Sequence, residues 1–311
     1  MRAVRIENAR PALVDMDQPA GEGVLVKVAT ASICGSDLHM IDQGWAEGGV
    51  LGHEVCGTTP DGTAVAIEPF FGCGGCHFCD DGYRSLCTQG ADFLGGGLQG
   101  GMAEYLRVPD YALVPLPTGL SLEHASLVEP MAVAFHVLNQ VNVTASERVL
   151  VVGAGAIGLA TAAALKSRGI TCDIAARHDA QKAIAQSLGA NPDITDGYDV
   201  TIDAVGSSES VALAMEKTRP RGRIGMVGCF WEPAKVGIEF CTKELTLIAS
   251  FTYKCQRPGR TFEEAAKALC DNPEIARQMI THRFALEAAS DAFATARDRQ
   301  SGGVKVVFDI A

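Results

Sequence analysis

Four cysteines, Cys73, Cys76, Cys79 and Cys87, fall in one short stretch with the spacing C-x2-C-x2-C-x7-C. Four thiolates drawn from one lobe can surround a zinc ion tetrahedrally at ~2.3 Å each. A complete set of four leaves no position for a substrate, so the metal expected here is structural. Unligated or redox-active thiols are the alternative, and the spacing argues against them.

A second group is Gly153-Ala154-Gly155-Ala156-Ile157-Gly158, which follows the apolar run Val149-Leu150-Val151-Val152 and opens an alanine-rich stretch. G-x-G-x-x-G gains meaning between a strand and a helix, and that is its setting here. Gly153 permits the sharp turn, Gly155 lets a pyrophosphate approach the backbone, and Gly158 lets the helix pack on the strand. The helix N-terminus then faces the phosphates.

A third group is scattered: Cys34-Gly35-Ser36-Asp37-Leu38-His39, Gly52-His53-Glu54, and Glu129-Pro130. By spacing alone it is weak, because a lone cysteine is usually core and a lone histidine usually a satisfied polar group.

These groups need a scaffold. Up to about residue 117 the chain reads as strands and loops, with strands at 24–28 and 103–108. Beyond it, strands are expected at 148–152, 172–176, 199–204, 222–227 and 245–251, and helices at 159–168, 180–188 and 208–218. Such alternation implies a parallel sheet covered on both faces, hence an α/β fold. The tail reads as helices at 261–269 and 286–296 and a last strand at 304–310. The 311 residues are 47% hydrophobic, enough for two cored domains. Lys and Arg total 26 against 37 Asp and Glu, and a net charge of -11 argues against nucleic acid. Residues 149–165 carry no charge, but their glycine spacing favours a buried strand and helix over a membrane span. The opening MRAVRIENAR has no secretory pattern, so a reducing cytoplasm is expected for the eleven cysteines.

In order along the chain, these motifs resemble the zinc-containing medium-chain dehydrogenase/reductase family of alcohol, sorbitol and threonine dehydrogenases. The resemblance includes Ser85-Leu86-Cys87, Gly100-Gly101-Met102-Ala103-Glu104-Tyr105, Asp203-Ala204-Val205-Gly206, Lys243-Glu244-Leu245 and Gly303-Val304-Lys305-Val306-Val307. It implies a GroES-like, β-rich catalytic domain over 1–130 and 254–311, with the zinc lobe at about 72–88. A Rossmann cofactor domain, doubly wound on a parallel sheet, fills 131–253. It implies two zinc ions per chain. Cys34, His53 and Glu129 resemble the catalytic ligands, and Glu54 resembles a nearby carboxylate that can swing onto the metal. Ser36 and His39 resemble the proton relay, Val205 and Gly228 fall among the cofactor positions, and Lys305 is expected on the pyrophosphate. Only eighteen residues separate Glu54 from Cys73, so a hairpin is expected to be trimmed.

The chemistry implied is hydride transfer between an alcohol or carbonyl, polyol-like by the Glu129 branch, and a nicotinamide dinucleotide. A zinc-free reductase, a non-catalytic cofactor-binding protein and a zinc lyase are the rivals. Counting back from Leu188-Gly189-Ala190, the second Rossmann strand ends at Ala176 and leaves Asp173 mid-strand, away from the ribose. With Arg177 and His178 next, NADP(H) is favoured over NAD(H), since a guanidinium forks onto a 2′-phosphate. A homodimer or homotetramer is expected through strand 245–251, with no membrane or nucleic-acid partner.

Overall fold

The computed structural model describes residues 1–298 and 300–310. It divides into two compact units, Met1–Glu129 with Lys254–Ala311, and Pro130–Tyr253.

In the first unit a mixed seven-stranded sheet runs in the order Ile280–Phe284, Lys305–Asp309, Val24–Ile33, Glu54–Thr58, Ala64–Ile67 and Leu113–Pro115, with Tyr105–Val108 beside the start of Val24–Ile33. Val26, Val28, Val55, Val65, Ile67 and Phe308 point inward at 2% exposure or less. These mostly β-branched side chains favour the pleated conformation they occupy. The expected strand at 24–28 extends to Ile33, which delivers Cys34 to the helix Gly35–Asp42. A hairpin, Arg2–Glu7 with Arg10–Asp15, turns through Asn8 and Ala9, both at positive φ. It lacks the usual glycine signal, and the Glu47 carboxylate instead accepts both backbone N–H groups at 2.8 and 3.0 Å.

The second unit carries a five-stranded parallel sheet ordered Cys172–Ala175, Val149–Val152, Tyr198–Asp203, Thr218–Met226 and Thr246–Ala249. A doubly wound sheet commonly has order 3-2-1-4-5-6, and here the third strand is reduced to a single bridge between Asp173 and Asn191. The segment that replaces it is pinned by side chains. Tyr198 donates its hydroxyl to Asp173 at 2.6 Å, and Asn191 donates to the other Asp173 oxygen at 3.2 Å. Asp173 is thus occupied within its strand. The uncharged run at 149–165 forms the strand Val149–Val152 and the helix Ala156–Ser167. No helix among the described residues is long and apolar enough to cross a membrane.

Candidate active site

Cys34 ends the central strand of its unit and sits as N-cap of the helix Gly35–Asp42. Three residues on, Asp37 is fully buried and reaches back, accepting the Cys34 backbone N–H at 2.8 Å. That is half of a capping box, with cysteine where serine or threonine is usual. The other Asp37 oxygen lies 3.4 Å from His53 Nδ1. A carboxylate behind one imidazole nitrogen fixes the ring and leaves the other nitrogen for a metal. Burial pushes the His53 imidazole down, but Asp37 and then Cys34 outweigh it and leave it well above its ordinary value. Sequence reasoning assigned Asp37 no role; its signal was the acidic residue three places after a helix start.

Glu54 begins the neighbouring strand Glu54–Thr58, and His53 immediately precedes it. Cys34, His53 and Glu54 each bring one donor atom within 4.8 Å of the others. Ser36 Oγ stands 3.3 Å from His53 Nε2. His39 lies three residues further along the same helix, exposed, on the side Ser36 shares. Phe93 stacks on Phe70 at 4.6 Å and tilts against His53 at 5.0 Å, making an apolar wall.

Glu129, in the first turn of the helix Val128–Gln140, stands outside the tight triad, and Glu54 is inside it. Burial pushes the Glu129 carboxyl up to about 7, and the charges of Glu54 and Asp37 push the same way against His53 and Lys305. Lys305, expected on the pyrophosphate, is engaged within its own unit. It is 2% exposed and donates to both oxygens of Glu54, at 2.6 and 2.8 Å.

The donor set suits a divalent cation. Three buried carboxyl groups, Asp37, Glu54 and Glu129, stand against one buried ammonium, Lys305, and the nitrogen, sulfur and oxygen donors beside them are those zinc accepts. The lobe fits a second ion, since one sulfur from each of Cys73, Cys76, Cys79 and Cys87 lies within 4.8 Å of the rest. Backbone N–H groups stabilise thiolates there. Thr88 holds Cys76 down to about 5, and Cys87, which accepts the Cys73 N–H at 3.3 Å, is also lowered. Burial pushes Cys79 up to about 12, so four thiolates need a cation among them.

In the other unit, the glycine turn follows the strand Val149–Val152. Gly153 has φ +97°. A Cβ on Gly158 would stand 1.8 Å from the Gly153 carbonyl, so helix and strand touch as the motif requires. A Cβ on Gly155 would meet nothing within 4 Å, leaving open space before the helix Ala156–Ser167 and its Ala156 and Ile157 amides. That opening suits a pyrophosphate. Ala176, with exposed Arg177 and His178, follows the strand Cys172–Ala175. Val205 and Gly228 follow Tyr198–Asp203 and Thr218–Met226, held by buried Asp203: its carboxylate accepts the Val205 N–H and its carbonyl the Gly228 N–H, both at 2.9 Å. All these positions gather at the carboxyl ends of the parallel strands, where such sheets bind ligands.

Known proteins agree with this architecture. Residues 20–118 match the alcohol dehydrogenase GroES-like domain, and residues 122–310 match the glucose dehydrogenase C-terminus. The chain is 32% identical to a probable D-xylulose reductase A of Emericella nidulans, over 91% of this chain and 88% of that one. It superimposes on an Escherichia coli CFT073 alcohol dehydrogenase complexed with NADH at a TM-score of 0.84 and 27% identity, covering 99% of each chain. A putative zinc-binding dehydrogenase of Sinorhizobium meliloti 1021, bound to NADP, gives 0.85 and 25%, covering 99% of this chain and 98% of that one. The chain belongs to the zinc-containing medium-chain dehydrogenase/reductase family.

Proposed function

We propose that this protein is a zinc-dependent alcohol dehydrogenase that moves a hydride between a secondary alcohol or polyol-like substrate and a nicotinamide dinucleotide. The observation that carries the reading is the contrast between the two cysteine-containing sets. One is a closed ring of four thiols; the other mixes Cys34, His53 and Glu54 beside Glu129 and Ser36. The first would hold structural zinc. In the second, Cys34, His53 and Glu129 would hold the catalytic zinc.

Zinc supplies Lewis acidity at the substrate oxygen, and the coenzyme supplies the hydride acceptor or donor. Asp37 holds His53 by its Nδ1 side and Cys34 by its backbone. Ser36 Oγ accepts the hydroxyl proton, and exposed His39 on the same helix side passes it to solvent. Phe93 keeps water from one side of the site. The glycine turn binds the pyrophosphate in the opening at Gly155.

For the coenzyme we infer NADP(H). Asp173, the acidic residue about 20 positions beyond the glycines, is held by Tyr198 and Asn191, and Arg177 follows the strand end. Association in pairs through Thr246–Ala249 is supported by that strand's position at the sheet edge, near Ile238 and Phe251, which are 73% and 51% exposed. The cytoplasm stays the expected compartment, with none of the eleven cysteines in a disulfide. A panel of alcohols, polyols and aldehydes, each run with both coenzymes, tests the reading. A wild type preferring NAD, or an Arg177→Ala variant whose coenzyme ratio does not move, refutes the NADP assignment.

A further inference from the structure

Lys305 lies on the strand Lys305–Asp309, and its ammonium is spent inside its own unit. It donates to Glu54 Oε1 at 2.6 Å, to Oε2 at 2.8 Å and to the Ile33 carbonyl at 3.4 Å. An ammonium has three hydrogens, so none is left for another partner. Both Glu54 oxygens are therefore engaged by Lys305. Yet Glu54 also offers an oxygen within 4.8 Å of the Cys34 and His53 donor atoms. One carboxylate is claimed from two sides. In a site this buried, the group that loses its cation must find another, because an uncompensated charge there is costly.

We propose that Lys305 is a positioning residue for the metal centre: its ammonium holds the Glu54 carboxylate back from the metal that Cys34, His53 and Glu129 bind, keeping one coordination position for the substrate oxygen. The proposal rests on the zinc reading above and adds a restraint that governs how long the metal stays. The neighbours fit the role. Lys305 has Glu54, Cys34 and Glu129 around it, all of which favour its charged form against the burial that opposes it. An arginine could hold the same carboxylate, whereas a neutral side chain could not.

Zinc release from the holoenzyme to a colorimetric chelator tests this, in wild type, Lys305→Gln, Lys305→Arg and Cys34→Ser. The Cys34→Ser variant identifies the release phase of this centre, since it leaves all four ligands of the cysteine lobe in place. Glutamine keeps a donor for the Ile33 carbonyl and removes the charge. Glu54 then turns to the metal, and release slows about tenfold or more, the size of one charged hydrogen bond. The cobalt-substituted Lys305→Gln enzyme also shows an altered visible spectrum before substrate is added. Lys305→Arg releases zinc at about the wild-type rate. Release from Lys305→Gln as fast as wild type, or faster, overturns the proposal. So does a Lys305→Gln chain that fails to fold with zinc in excess, because the metal should then satisfy Glu54. If Cys34→Ser loses no release phase, the zinc reading fails, and the proposal with it.

Discussion

Asp37→Asn replaces a single oxygen by an amide nitrogen and should weaken metal binding at Cys34 and His53. The native carboxylate is fully buried, accepts the Cys34 N–H at 2.8 Å and faces His53 Nδ1 at 3.4 Å. Asparagine has the same shape but one acceptor. If its oxygen stays on the Cys34 N–H, its amide N–H groups face His53 Nδ1 and force that nitrogen to accept. The proton then moves to Nε2, the nitrogen the metal needs. If the amide flips, two donors meet at Cys34 and the cap is lost. Either way one charge-assisted interaction of roughly 1.5–3 kcal/mol disappears, equivalent to about 10–100-fold in metal affinity, the range seen when a carboxylate behind a histidine ligand is removed. The melting temperature should fall by about 4–8 °C for a loss near 2 kcal/mol. Competition against a zinc chelator measures the affinity, and turnover at limiting and excess zinc shows whether added metal restores activity. An Asp37→Asn enzyme that binds zinc as tightly as wild type would refute the assignment of Asp37.

Three further outcomes are expected. Cys34→Ser should abolish turnover in a folded protein, whereas Cys76→Ser should chiefly lower stability, because structural zinc contributes folding free energy directly; equal losses of melting temperature in the two would contradict this division. His136 is 3% exposed, and burial drives its imidazole down to about 4. Its folded value lies below the unfolded ~6.5, so its contribution is complete above that pH and is lost as pH falls towards 4, by about 3 kcal/mol in all; urea midpoints of His136→Leu should fall less steeply with acid than wild type, and equal slopes would dismiss the idea. Tyr198→Phe removes the 2.6 Å bond to Asp173 and the acceptor of the Thr195 N–H at 2.8 Å. It should cost about 2 kcal/mol and speed amide exchange over residues 191–198, and unchanged exchange there would show that the segment does not depend on this pin.

What the sequence disclosed divides along physical lines. Local chemistry was legible: four thiols at fixed spacing, a glycine turn between an apolar strand and an alanine-rich helix, and alternating strands and helices behind it. Boundaries drifted where tertiary pairing decides them. The strand read as 24–28 extends to Ile33 because Lys305–Asp309 and Glu54–Thr58 pair with its second half. The edge strand read as 245–251 shrinks to Thr246–Ala249 for want of a second neighbour. The opening hairpin was unread because Asn8-Ala9 has no glycine, and its turn depends on Glu47 from a distant loop. No strand was read between residues 176 and 199, and only the Asp173–Asn191 bridge forms there, but the side-chain bonds of Tyr198, Asn191 and Asp173 that pin the segment were invisible because they have no periodicity. The pairing of Lys305 with Glu54 was unread for the same reason: the two lie far apart along the chain, and the register that joins them belongs to the sheet. Asp37 shows the converse, a local capping signal hidden by an unusual cap residue.

The central claim is that hydride transfer occurs at a metal held by Cys34 and His53. The most direct measurement follows reduction of the nicotinamide coenzyme by the best alcohol of the panel, with zinc content recorded on the same samples. It compares wild type, protein from which the Cys34-associated zinc has been stripped, the same protein after zinc is returned, and Cys34→Ser. Turnover should vanish with that zinc, return with it, and stay absent in Cys34→Ser even with zinc in excess. Turnover that survives loss of the Cys34-associated metal would contradict the account.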